Sequence, residues 1–234
     1  MNNVSPSIAD VTSLLRDPKR IDTLKKLDLL DTPAEQAFDR LTQLASKIIG
    51  APVSLVSLVD TDRQFFKSFF GLPDPWASAR ETPLSHSFCQ YVVATNEALV
   101  VTDARQDPVL KNNLAIRDLD VIGYLGMPLT LADGTSLGSF CVIDNKPRQW
   151  TAREIEIVRE LAQSVMAEIE LRAAIKTQEK VQAELKQQNQ KLARLAEFCR
   201  TTIDTLLETV QRSGDKAEQL EYLKQAQTQL NRQL

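Results

Sequence analysis

The spacing of apolar positions changes twice along the chain. It is three-to-four up to about residue 49, becomes runs and alternation up to about residue 143, and then follows a seven-residue grid to the end. The first regime predicts helices. Residues 1–6 read as a disordered tail. Ile8 to Leu15 and Lys19 to Leu30 read as two short helices broken at Asp17-Pro18, with Ile21, Leu24, Leu27, Leu29 and Leu30 forming a stripe on the second. A clearer helix spans 33–49, where Phe38, Leu41, Leu44, Ala45 and Ile48 share a face. Thr32 is its expected cap, Pro33 its N1 residue and Glu35 the return partner of a capping box, and Gly50 ends it.

The second regime predicts strands at 53–59, 64–70, 98–102, 124–131 and 136–143. Pro52 to Asp60 is β-branched and apolar on nearly both faces, as a central strand covered on each side requires. Asp133-Gly134 joins the last two runs, and a glycine there supplies the positive φ of a tight hairpin. Residues 71–86 hold three prolines and Trp76 and read as a long loop. Ser87 to Ala94 reads as a short helix, and Asp107-Pro108 as the cap and N1 of another. The sum is an α+β fold: an antiparallel sheet of about five strands flanked by helices. Helix 33–49 and the first turns of 152–212 belong on one face, because Phe38, Leu41, Ile155, Val158, Leu161 and Val165 need a common apolar surface.

The third regime opens on a local signature. Pro147 stops the last strand, Thr151 and Glu154 form a capping box, and Trp150 and Ile155 occupy the positions of a hydrophobic staple. Beyond it there is no proline and one glycine, Gly214. Leu171, Leu185, Leu192, Cys199, Leu206, Leu220 and Leu234 fall on one seven-residue grid, with Gln178, Ser213 and Gln227 at its other places. A companion line holds Ala174, Val181, Leu195, Leu223 and Leu230, interrupted by Gln188, Thr202, Thr209 and Lys216. This is a coiled-coil pattern. The expected dimer seam runs through Leu171, Val181, Leu185, Leu192, Leu195, Cys199 and Leu206. A helix over 152–212 would be about 90 Å long at 1.5 Å per residue, and it cannot bury its stripe alone. A second copy is the simplest partner. Ser213-Gly214-Asp215 is a possible break, although the grid keeps phase across it. The chain therefore divides into 1–19 (tail and short helix), 20–165 (sheet domain) and 166–234 (helical extension).

Composition narrows the function. A net charge of −3 argues against nucleic acid as the partner, and no basic run suggests membrane adhesion. No apolar stretch approaches the ~20 residues that span a bilayer, and MNNVSPSIAD lacks the regions of a signal peptide, so the expected location is cytoplasmic. Cys89, Cys141 and Cys199 are too few and too scattered for a disulfide framework or a zinc motif. The only histidine, His86, argues against a metal site. Asp60, Asp62, Asp103 and Asp107 read as turn and cap residues. No catalytic constellation is found.

The motifs Gly126-Met127-Pro128-Leu129, Asp133-Gly134, Leu137 to Asp144, Pro147-Arg148 and Trp150-Thr151 together resemble GAF domains, the small-molecule and cofactor sensing modules of bacterial signalling proteins. Leu84 to Cys89 resembles the helix start that caps the pocket in that family, and Val100 to Arg105 the strand and loop that follow. The resemblance covers about residues 20–165 and implies a ligand pocket without naming its ligand, so the cofactor stays unknown. Bilin-binding relatives place Cys directly before His. Here His86 precedes Cys89 by three residues, which departs from a covalent bilin site and implies the non-photosensory subgroup. Cys89 is expected free and unmodified, since neither Cys89 nor Cys141 has a basic neighbour in sequence. The cyclic-nucleotide signature and the cysteine motif of the methionine-sulfoxide-reducing branch are not evident.

The expected pocket is bounded by Trp76 to Tyr91 and by Tyr124 and Met127. Arg80 and His86 are its candidate polar contacts. Phe66, Trp76 and Tyr124 are its candidate apolar contacts, with Cys89, Tyr91 and Met127 beside them; for each aromatic an ordinary core role fits as well. The functional expectation is a regulatory sensor that relays small-molecule binding or partner state through a dimeric coiled coil to a signalling effector. The alternatives are the input region of a histidine kinase or nucleotide cyclase, and a ligand-free dimerisation scaffold.

Overall fold

The computed structural model describes residues 8–212 and 216–233. The expected disordered tail and the possible break at 213–215 lie outside the described residues. Helices α1 (Ile8–Leu15), α2 (Pro18–Leu27) and α3 (Gln36–Ile49) come first. Strands β1 (Val53–Val59) and β2 (Arg63–Phe70) follow, then the short helix α4 (Trp76–Ala79), β3 (Glu81–Pro83), a 3₁₀ turn at Leu84–His86, and α5 (Cys89–Thr95). After β4 (Leu99–Val101) and α6 (Ala115–Asp118), the hairpin of β5 (Gly123–Thr130) and β6 (Ser136–Asp144) leads into α7 (Ala152–Arg212). The last element is α8 (Lys216–Gln233).

The sheet has six strands in the order β3-β2-β1-β6-β5-β4, and each neighbouring pair is antiparallel. The extra strand is β3. It lies inside the segment expected to be an irregular loop, where it pairs Glu81, Thr82 and Pro83 with the start of β2. Alternation divides the strands between two cores. Val56 and Leu58 of β1, Leu125, Met127 and Leu129 of β5, and Phe140 and Val142 of β6 face Phe38 and Ala45 of α3 and Val158, Leu161, Val165 and Ile169 of α7. Leu55 and Val59, Phe66, Tyr124, and Cys141 with Ile143 face the other way, under α1, α5 and α6.

The start of α7 follows its local code. Glu154 N–H donates to the Thr151 hydroxyl (3.2 Å), Thr151 N–H donates to the Glu154 carboxylate (2.8 Å), and Trp150 and Ile155 pack on the core. Gly134 has φ +85° in the hairpin and Gly50 has φ +70° at the end of α3.

The start of α3 differs from expectation. Its N-cap is Glu35, which makes no capping bond. The Lys67 ammonium, almost fully buried, takes this loop's oxygens instead: the Thr32 hydroxyl (2.7 Å), the Pro33 carbonyl (2.9 Å) and the Glu35 carboxylate, which Arg172 also holds. A buried cation needs acceptors more than a helix end does, since the helix N–H groups have water as an alternative. Asp107 does accept from the N–H groups of Val109 and Leu110 (2.8 and 3.0 Å), but a turn follows rather than a helix.

Residues 1–173 and 174–234 form two compact units. The division falls after residue 173 rather than 165, because Met166 and Ile169 still belong to the sheet core and Arg172 is tied to Glu35. In the second unit, taken by itself, Val181, Leu185 and Leu192 are more than half exposed and Leu195 and Leu206 are intermediate.

Candidate functional site

On the sheet face under α5 and α6 lies a cavity of about 30 Å³. Strands supply its floor, with Leu55, Phe66, Tyr124 and Ile143; Phe88 and Cys89 of the α5 region and Ala115 of α6 close it. Leu72, Pro73, His86 and Leu119 also line it and are not fully buried, so it runs from near the surface inward to Cys89 and Tyr124, which are buried. The volume is room for about two or three waters, each needing ~10–15 Å³.

Gln64 anchors one wall. Its amide oxygen accepts from the hydroxyls of Ser57 (3.2 Å) and Ser87 (2.7 Å), and its amide nitrogen donates to the Thr82 hydroxyl (2.7 Å) and the His86 carbonyl (3.3 Å). All four of its hydrogen-bonding positions are taken, so Gln64 fixes the backbone around His86 and Ser87. The His86 ring is held as firmly. Nε2 lies 2.9 Å from Asp118, Nδ1 lies 3.0 Å from the Ser85 hydroxyl, and the Trp76 ring sits at a centroid distance of 5.2 Å. The Arg117 guanidinium, and then His86, hold the Asp118 carboxyl well below the usual carboxylate range.

At the inner end, the Tyr124 hydroxyl stands 3.4 Å from Cys89 Sγ and 3.3 Å from the Ser139 hydroxyl. The Cys141 thiol, and then the Tyr124 hydroxyl, draw Cys89 down against the effect of burial. Burial pushes Cys141 and Tyr124 up. The absence of a basic sequence neighbour therefore misleads at Cys89. Its stabilising partners come from β5 and β6, distant in sequence. Among the described residues, no group of three or more His, Cys, Asp or Glu side chains is placed to hold a metal ion.

Residues 33–169 match the family profile of the GAF domain. The chain belongs to the GAF domain family. A cyclic di-GMP phosphodiesterase of Pseudomonas aeruginosa is 35% identical to this GAF protein over 146 residues, which is 62% of this chain and 24% of that protein. The chain thus spans about a quarter of that relative's length. Its fold is also that of the GAF domain of an Acinetobacter phosphoenolpyruvate-protein phosphotransferase, at TM-score 0.50 and 15% identity over 69% of this chain and 99% of that one. The corresponding domain from Coxiella burnetii gives TM-score 0.52 and 18% identity over 74% and 99%.

In this GAF domain, Phe66, His86, Cys89 and Tyr124 of the eight expected pocket residues line the cavity. The other four do not. Trp76 packs at a tilt against His86 from outside the lining. Tyr91 is half-buried at the edge of the same core, with its phenol pushed up by burial and then by Asp107. Met127 belongs to the opposite core, because it lies an odd number of residues from Tyr124 on one strand. Arg80 ties the loop before α3 to strand β2: its guanidinium donates to the carbonyl of Thr32 in the loop (2.7 Å) and to those of Phe66 and Lys67 on the strand (3.1 and 2.9 Å). Two residues that shape the site, Gln64 and Asp118, were not among the expected ones. Gln64 carries one signal, a polar residue facing inward at the start of an apolar strand. Asp118, 32 residues from His86, carries none.

Among the described residues, no helix is long and apolar enough to cross a membrane.

Proposed function

We propose that this GAF protein is a cytoplasmic regulatory module of signal transduction, not itself a catalyst. In this reading it forms a homodimer through its C-terminal helix and passes the state of the GAF cavity to an effector protein. The observation that carries the reading is the row of exposed aliphatic side chains on α7: Leu171, Val181, Leu185 and Leu192, each more than half exposed, on the two lines of a seven-residue grid. Water does not favour such a row, and the same row on a second copy would cover it with knobs entering holes. Gln178, Gln188 and Thr202 interrupt the grid, which lowers the stability of the pair and lets two helix arrangements lie close in energy. A signal then acts by binding the two arrangements unequally.

Light scattering and sedimentation of the full chain test this. The expected result is a dimer at micromolar concentration, dissociated or strongly weakened by Leu192→Asp with the circular dichroism of the sheet domain unchanged. A monomeric full chain would overturn the reading.

The cavity volume favours a second reading of the input. Pockets for ordinary metabolites have volumes of ~300–1,000 Å³, against about 30 Å³ here. The signal is then a molecule of very few atoms, or a partner protein acting on the domain surface. The Pseudomonas relative, a cyclic di-GMP phosphodiesterase, adds a context in which a similar segment is part of a longer enzyme. Equilibrium dialysis of the full chain against a cyclic dinucleotide separates these: binding at micromolar affinity would refute the small-signal reading.

A further inference from the structure

The inner end of the cavity brings two thiols to one hydroxyl. Cys89 lines the cavity, and its Sγ lies 3.4 Å from the Tyr124 hydroxyl. Cys141 comes from the other side. It stands directly opposite Gly126 in the β5–β6 ladder, on the sheet face that carries Tyr124 and Ser139. Directly opposed positions are ~4.5–5.5 Å apart, and the Tyr124 ring lies over Gly126, close enough that a methyl group there would meet its hydroxyl oxygen at 2.4 Å. The Tyr124 hydroxyl therefore lies against Cys89 on the same sheet face from which Cys141 projects, with Ser139 at 3.3 Å. Both cysteines are buried and free. Cys89 faces the cavity, and Cys141 stands behind it, outside the lining. This is more than two packed thiols. A hydrophobic core has no need of a tyrosine hydroxyl set against a sulfur, with the Ser139 hydroxyl behind it.

We propose that Cys89 and Cys141 form a peroxide-oxidisable pair, in which a small hydroperoxide enters the cavity, Cys89 attacks it, and Cys141 closes a reversible disulfide. In the first step the Cys89 thiolate attacks one peroxide oxygen. An S–O bond forms, the O–O bond breaks, and the second oxygen leaves with a proton as water or alcohol, giving a sulfenic acid. In the second step the Cys141 sulfur attacks the Cys89 sulfur. The S–S bond forms, the S–O bond breaks, and hydroxide leaves with the Cys141 proton as water. Two thiols lose two electrons and the peroxide gains them. The lowered Cys89 thiol supplies the thiolate that the first step needs. A cavity of about 30 Å³ admits hydrogen peroxide and excludes larger electrophiles. The chemistry goes beyond the regulatory reading above and does not depend on helix pairing, so the thiol assay and the sedimentation assay fail separately.

The test is peptide mapping of the full chain after exposure to hydrogen peroxide, with and without reduction. The expected product is a Cys89–Cys141 linked peptide, a loss of about 2 Da that dithiothreitol restores. Cys141→Ser should instead leave Cys89 as a sulfenic acid labelled by dimedone. Tyr124→Phe, which keeps the ring and removes the hydroxyl, should slow loss of the Cys89 thiol roughly ten-fold at neutral pH. The proposal is overturned if Cys89 stays fully alkylatable in denaturant after a dose that oxidises the exposed Cys199, or if Cys89 links only to Cys199. The wild-type mapping requires no variant, so a folding defect in either substitution leaves the test intact.

Discussion

The ring of Tyr124 lies across Gly126, two residues further along the same strand. A Cβ at Gly126 would stand 2.4 Å from the Tyr124 hydroxyl oxygen and 2.6 Å from a ring carbon. Only glycine leaves the strand surface bare enough for the ring to lie flat and carry its hydroxyl to Cys89 and Ser139. Gly126→Ala should therefore destabilise the domain by ~1–3 kcal/mol, through overpacking against the Tyr124 ring. In a Tyr124→Ala background the same change should cost less by at least ~1 kcal/mol, the coupling expected of residues in contact. Urea unfolding of the four proteins gives the cycle, and equal costs in both backgrounds would refute it.

Arg80 combines a left-handed backbone, φ +56°, with a guanidinium that holds three carbonyls and lies over the Phe65 ring. The other non-glycine residues with positive φ are Asp28, Asp31, Asn96 and Asp120, types that tolerate it. Two substitutions separate the backbone effect from the side-chain effect. Arg80→Ala and Arg80→Gly both lose the charged hydrogen bonds and should be destabilised by roughly 2 kcal/mol or more. Arg80→Gly should be the better of the two by ~1 kcal/mol, since glycine accepts this φ without strain. Denaturant midpoints in the reverse order would show that the backbone is not strained there.

Lys67 sets a pH dependence. Burial and then the neighbouring Arg80 guanidinium push it down to about 8, against the pull of Asp39. In the unfolded chain a lysine titrates near ~10.4. Below about pH 8 both states hold the proton and the contribution is flat. From about 8 to ~10.4 the unfolded chain binds a proton that the folded protein has released, so stability from this residue rises with pH. Lys67→Met should remove that rise. Urea midpoints of both proteins across the interval decide the matter, and identical slopes would exclude Lys67 as the source.

How far the sequence discloses such features depends on how local their causes are. Strand β1 was legible to the residue, because an apolar run covered on both faces has few alternatives. The capping box of Thr151 and Glu154 was legible because both partners lie within one turn. The similar signature at Thr32 and Glu35 was not, because the decisive group, Lys67, comes from another element. Strand β3 has three residues and exists through its pairing with β2, so no pattern of its own announces it. In the cavity, alternation along β5 was sufficient to set Met127 apart from Tyr124. The His86–Asp118 bond and the Tyr124 hydroxyl at Cys89 are products of tertiary placement alone.

Both rims of the sheet end in very short strands, β3 and β4, each of three residues. β3 finishes on Pro83, which has no N–H to offer, and the last carbonyls beside β4 are occupied: Trp150 Nε1 donates to Val101 and Arg148 N–H to Thr102, both at 2.9 Å. An incoming extended chain finds little backbone on which to template itself. Crowding of this protein in a cell or a test tube should therefore not extend the sheet from one molecule to the next. Whatever assemblies it makes will be side-chain assemblies, which dissolve on dilution, rather than hydrogen-bonded ribbons, which do not.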